Sequence, residues 1–158
     1  MLQRFYQPIL ILPLVLMLSG CFATPGVRYD ESLVQNLNQV SVETLTFFAS
    51  IKDGTQAEKF IERKQHYFRL LGQYEGLEIQ ATSRPYTKPD SLDRVSQSST
   101  PTQLPSVTAL QNIYKTLLHM KQTDQQQGLT KTEVAVYKLQ TRTYLDQIIT
   151  FEQHLKPY

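Results

Sequence analysis

The residues able to do chemistry are few and scattered. The chain has one cysteine, Cys21, three histidines and 14 acidic side chains. A di-iron site on helices uses Glu-x-x-His pairs. Here Glu62 and His66 are four apart and Glu152 and His154 are two apart, so neither pair has that spacing. No Cys-x-x-Cys-His segment is present for covalent haem. Met120 and His154 would stand roughly 20 Å apart in height on up-and-down helices, too far for shared axial ligation. His66 and His119 reach similar heights on neighbouring helices, where a metal or pH-sensitive contact is conceivable, but both fall off the apolar stripes and are expected to face water. There is no Gly-x-Ser-x-Gly elbow and no glycine-rich phosphate loop. The serines between 91 and 106 lie in a segment unsuited to holding a triad. Glu43, Glu58 and Glu133 read as caps or solvated positions. No catalytic residue, metal or cofactor is expected.

Charge and composition narrow the classes further. Sixteen basic against 14 acidic residues leave +2, without the basic footprint of a nucleic-acid binder. An apolar content of 41% with 19% charged residues is that of a folded chain, and 158 residues suit one domain. A single cysteine excludes an internal disulfide. Lys59, Arg63, Lys64 and Arg69 make one stretch locally basic, diluted by Glu58 and Glu62. They read as a solvated face or, together with Tyr86, as a candidate interaction surface, one that suits anionic lipid headgroups. Tyr67, Tyr74, Tyr114, Tyr137 and Tyr144 lie on or beside apolar stripes. They are expected at the core margin, the alternative being an aromatic groove for a peptide or glycan.

The N-terminus carries the most specific signal. Arg4 precedes an apolar run over 9–18 and then small residues, the layout of a secretory signal. The run is too short to span a bilayer, and Pro13 interrupts it. Leu18-Ser19-Gly20-Cys21 resembles the lipobox of bacterial lipoproteins. The resemblance covers about 21 residues and leaves the domain's fold open. It implies cleavage between Gly20 and Cys21, acylation of Cys21 (palmitate being a typical chain), and a membrane anchor at the mature N-terminus. Phe22 stands where an aspartate would retain the protein in the inner membrane, so the resemblance implies an outer-membrane lipoprotein facing the periplasm. Removing residues 1–20, with Arg4, leaves 138 residues and lowers the formal charge to +1. Residues 21–29 form a lipidated tether of roughly 30 Å reach.

These side chains hang on four helical patterns within 30–158. The first spans about Asp30 to Ile51, with Leu33, Leu37, Val40, Thr44, Phe47 and Ile51 on its stripe and Asp30 as N-cap. The second opens at a Thr55…Glu58 capping box. Its stripe is Ala57, Phe60, Ile61, Tyr67, Leu71 and Tyr74, with Phe68 beside it, and it ends near Gly76 or Ala81. Prolines and serines make 83–105 a long, flexible loop. The third helix starts near Ser106, carries Leu110, Tyr114 and Leu117, and stops at Gly128. The fourth starts at the Thr130…Glu133 capping box, with Leu129 and Val134 as a staple, and continues through Val134, Tyr137, Thr141, Tyr144, Ile148, Phe151 and Leu155. The pattern predicts an all-α antiparallel four-helix bundle with a long loop between helices 2 and 3, the runner-up being helical hairpins that dimerise.

The functional expectation is a non-enzymatic, lipid-anchored structural or protein-interaction module of the bacterial envelope. Its partners would be the membrane, through the anchor, and an envelope protein. The alternatives are an inhibitor or immunity-type lipoprotein binding one specific protein, and an envelope enzyme.

Overall fold

The computed structural model describes residues 27–85 and 103–157. Cys21, Gly20, Tyr86 and positions 86–102 of the expected loop lie outside them. The described chain is all-helical and bundle-like, with helices α1 (Glu31–Ser50), α2 (Phe60–Thr82), α3 (Pro105–Gln127) and α4 (Lys131–His154). Among the described residues, no helix is long and apolar enough to cross a membrane.

Asp30 caps α1 as its type predicts. Its backbone is extended and its Oδ1 accepts the Leu33 N–H at 3.1 Å. Burial acts against the Asp30 anion, but the Leu33 N–H, the Ser32 hydroxyl and the Gln80 amide outweigh it and hold the carboxyl below its ordinary value. Leu33, Leu37, Val40, Thr44, Phe47 and Ile51 are all buried, so the four-three spacing does mark the core face. α1 then gives way to a turn in which Gly54 has φ +99°.

The start of α2 differs from the expected capping box. The chain enters through a 3-10 turn, Ala57–Lys59, and the Thr55 hydroxyl bonds to Asp124 and Leu129 while Glu58 stays exposed. Short local spacing proposed the cap, and a tertiary partner took the side chain instead. The core face of α2 also differs. Phe60, Tyr67, Leu70, Leu71, Tyr74, Leu77 and Ala81 are buried, whereas Ile61 is 72% exposed and Phe68 46%. Ile61 and Phe68 are seven residues apart and so share one side of the helix, and that side faces water. Leu70 and Leu77, which the stripe omitted, take up the other side. The helix runs through Gly72 and Gly76 to Thr82.

Pro105 occupies the first turn of α3, where its missing N–H costs no helical bond. Val107, Leu110, Ile113, Leu117 and Met120 are buried along it, and Gly128 ends it at φ +77°. The predicted capping box of α4 is formed. Thr130 Oγ1 accepts the Glu133 N–H, and Glu133 Oε2 accepts the Thr130 N–H at 2.7 Å. The Thr130 N–H and hydroxyl both donate to Glu133 Oε2 and lower the Glu133 carboxyl below its ordinary range. The staple residues Leu129 and Val134 are both buried. Tyr137 and Tyr144 sit half-buried, with Leu145 deeper than Tyr144.

α2 packs on α1 and α3, α3 packs on α4, and α1 touches α4 more lightly. The buried apolar residues form one cluster. Between α1 and α2, Asp30 meets Gln80, Thr44 meets Tyr74 and Phe47 meets Tyr67, so numbering rises along one helix as it falls along the other. Between α2 and α3, Arg63 meets Asp124 and Gln111 meets Glu78. Arg84 Nη1 lies 3.5 Å from the Arg28 carbonyl, so the chain entering α1 and the chain leaving α2 share one end of the molecule.

Candidate functional site

Two buried carboxylates stand out, one at each end. Asp124, fully buried in the last turns of α3, receives four donors. Arg63 binds it through both Nε, at 2.9 Å to Oδ2, and Nη2, at 2.8 Å to Oδ1. The Thr55 hydroxyl donates to Oδ1 and the Tyr67 hydroxyl to Oδ2 at 3.1 Å. An ionised carboxylate has about four acceptor positions, so nothing remains on Asp124 for a substrate. Its neighbours respond in kind. The hydrogen bond to Asp124 raises Arg63 above its ordinary value against the effect of burial. Burial, then the adjacent Asp124 charge, pushes the Tyr67 hydroxyl far up, so it remains a proton donor.

The two short turns meet above this cluster. The Thr55 N–H donates to the Leu129 carbonyl and the Leu129 N–H donates to the Thr55 hydroxyl, both at 2.8 Å. A Cβ on Gly54 would lie 2.6 Å from the Leu129 oxygen, and one on Gly128 would lie 2.5 Å from the Thr55 oxygen. Positive φ and close backbone approach therefore both require glycine at these positions. A shallow polar pocket of about 480 Å³ opens here, lined by Asp53, Gly54, Thr55, Gln56, Lys59, Arg63 and Leu129.

At the other end Glu152 of α4 is fully buried and binds Arg84 in a two-toothed pair, both bonds at 2.7 Å. The Ser106 hydroxyl, in the first turn of α3, donates to Glu152 Oε1. Arg84 and Ser106 lie at the two stems of the 83–105 segment, so one carboxylate of α4 holds both. Midway between the ends, the buried Tyr74 hydroxyl contacts Thr44 Oγ1 at 2.9 Å. Thr44 spends its only proton on the Val40 carbonyl, so Tyr74 is the donor. Burial raises the Tyr74 hydroxyl to about 12.

The four basic candidates are dispersed. Lys59 and Arg63 share the polar pocket, but Arg63 has its side chain only 13% exposed and its guanidinium also donates to the Lys59 and Gln56 carbonyls, so it acts inside the fold and is not a free surface cation. Arg69 pairs with Glu43 at 3.1 Å. Lys64 lies over the Phe68 ring at 5.6 Å. His66 and His119 are exposed and do not meet: His66 stacks on Phe47 and His119 sits edge-on to Tyr137. Tyr67 and Tyr74 are fully buried, deeper than the core margin expected of them.

Sequence reasoning missed Asp124, Glu152 and Arg84, although a signal existed. Asp124 is seven residues beyond Leu117, and Glu152 four beyond Ile148, so each acid falls on an apolar stripe. A carboxylate placed there must be paired. Together the two clusters tie helix ends to the neighbouring segments. Comparison with protein-family models, with curated proteins and with solved structures finds no match for this chain.

Proposed function

We propose that the chain is a lipid-anchored, non-enzymatic module of the bacterial envelope, which presents an antiparallel four-helix bundle as a structural or protein-interaction body close to the outer membrane, on its periplasmic side. The observation that carries this reading is the order Arg4, apolar run, Leu18-Ser19-Gly20-Cys21. Cleavage before Cys21 and its acylation would leave a short tether. More than one acyl chain is needed to hold a protein stably in a bilayer.

Two further features support the reading. The alternation of contacts between consecutive helices is what an up-and-down bundle requires. The buried ionic groups are used to join helix ends, which is the chemistry of a scaffold. Arg28 and Arg84 lie together, so the tether and the stems of the 83–105 segment leave from the same end. The end that holds Arg28 and Arg84 would then face the membrane and the Thr55–Leu129 turns would face away from it. Tethering raises local concentration at the surface without any new contact.

The test is Cys21→Ala in the full chain, read by incorporation of labelled palmitate and by membrane fractionation. The expected result is loss of label and release from the membrane. Equal labelling and equal membrane association of the variant would overturn the proposal.

A further inference from the structure

The outward side of α2 carries a line of residues that lie outside the buried core. Ile61, Phe68 and Ile79 are 72%, 46% and 65% exposed, and Gly72 falls on the same line. Their spacing is seven, four and seven residues. At about 100° per residue, these steps keep all four within roughly 40° of one another, along about 27 Å of helix. The spacing reads the same in both directions. A Cβ on Gly72 would meet nothing within 4 Å among the described residues, so no packing among them calls for glycine there.

We propose that this face is where two copies of the chain pair, α2 against α2, antiparallel about a two-fold axis near residue 70. In that register Ile61 meets Ile79 of the second copy, and Phe68 meets the hollow at Gly72, each contact occurring twice. This is the self-complementarity that a two-fold interface demands. The charges fit the same register. Lys64 lies on one flank of the line and Lys121 of α3 reaches the Phe68 ring at 4.8 Å on that side. Glu75, exposed on the same flank, comes opposite Lys64 of the second copy. A parallel pairing would instead stack Phe68 on Phe68 and give Lys64 no acidic neighbour at its own height. One helix pair is a small contact, below about 1,200 Å², so the pairing is weak and depends on concentration. None of this requires acylation of Cys21, so the two proposals fail independently.

The register is tested in cells making two differently tagged full-length copies. Oxidation should join an Ile61→Cys copy to an Ile79→Cys copy, above the background set by Cys21 alone. Two Ile61→Cys copies should not join, because those positions would lie roughly 27 Å apart. Sedimentation of the full chain in detergent supplies the second measurement, with a two-copy mass expected by about 100 μM. Gly72→Leu should weaken pairing at least about tenfold while leaving the thermal midpoint of the single copy unchanged or higher, because leucine favours the helix more than glycine does. The proposal is overturned by a chain that stays monomeric at about 100 μM, whatever protein or lipid vesicle it binds instead. Undiminished pairing of Gly72→Leu overturns it too, as do Ile61–Ile61 disulfides as abundant as Ile61–Ile79.

Discussion

At one end of the molecule two tight turns are hydrogen-bonded to each other above a buried Asp124. At the other, Arg84 and Ser106 close from two sides on a buried Glu152. Both ends use the same device, a carboxylate on an apolar stripe neutralised by an arginine from a neighbouring segment. They differ in how far the surrounding backbone is constrained. Asp124 has four donors and sits beneath two turns whose glycines admit no side chain. Glu152 has three donors among the described residues, and its arginine lies just beyond the end of α2. The difference teaches that breaking a buried ion pair is costly in proportion to the donors it leaves unpaired.

That contrast sets the largest expected effect. Asp124→Ala strands Arg63 and leaves the Thr55 and Tyr67 hydroxyls without their acceptor, costing about 3–5 kcal/mol. Glu152→Ala should cost less, about 2–3 kcal/mol, because it strands three donors where Asp124→Ala strands four. Urea unfolding of the two variants checks the order, and equal losses would remove the distinction between the ends. Gly54→Ala should cost about 1–3 kcal/mol through strain and the clash with the Leu129 carbonyl, at a site where the other end has no counterpart.

Alkali probes the region between the ends. The folded Tyr74 hydroxyl lies at about 12 against an ordinary 10.0, so its neutral form is the one the fold favours. Its contribution is complete below pH 10 and is lost as pH rises towards 12, a change of roughly 1–3 kcal/mol. Tyr74→Phe should flatten that decline in a series of denaturation curves. The smallest effect is a gain. Thr141 is fully buried and its hydroxyl has no hydrogen-bond partner among the described residues, so Thr141→Val, which keeps the shape, should stabilise by about 1 kcal/mol in the same assay.

The helices were legible because their periodicity and caps are local. Asp30 and the Thr130–Glu133 box both form as their spacing predicts. The face of α2 was only partly legible. Phe60, Tyr67 and Tyr74 are buried as read, but Ile61 and Phe68 belong to the opposite side, and hydrophobicity alone does not distinguish a core stripe from an exposed one. Thr55 shows the same limit from the polar side. Its type and spacing fit a cap, while its actual partners are 69 and 74 residues away.

By itself the sequence determined the all-helical character, the positions of the turns at Gly54 and Gly128, and the lipobox-like tetrapeptide at Cys21, because each depends on neighbours within a few residues. Only the tertiary structure decided that Arg63 is an internal anchor and not a surface cation, that Asp124 and Glu152 pair with arginines, and that an apolar line on α2 is left facing water. The two ion pairs depend on which segments meet across 61 and 68 residues of chain. Burial makes such meetings decisive, since a charge withdrawn from water must find its partner wherever the fold brings one.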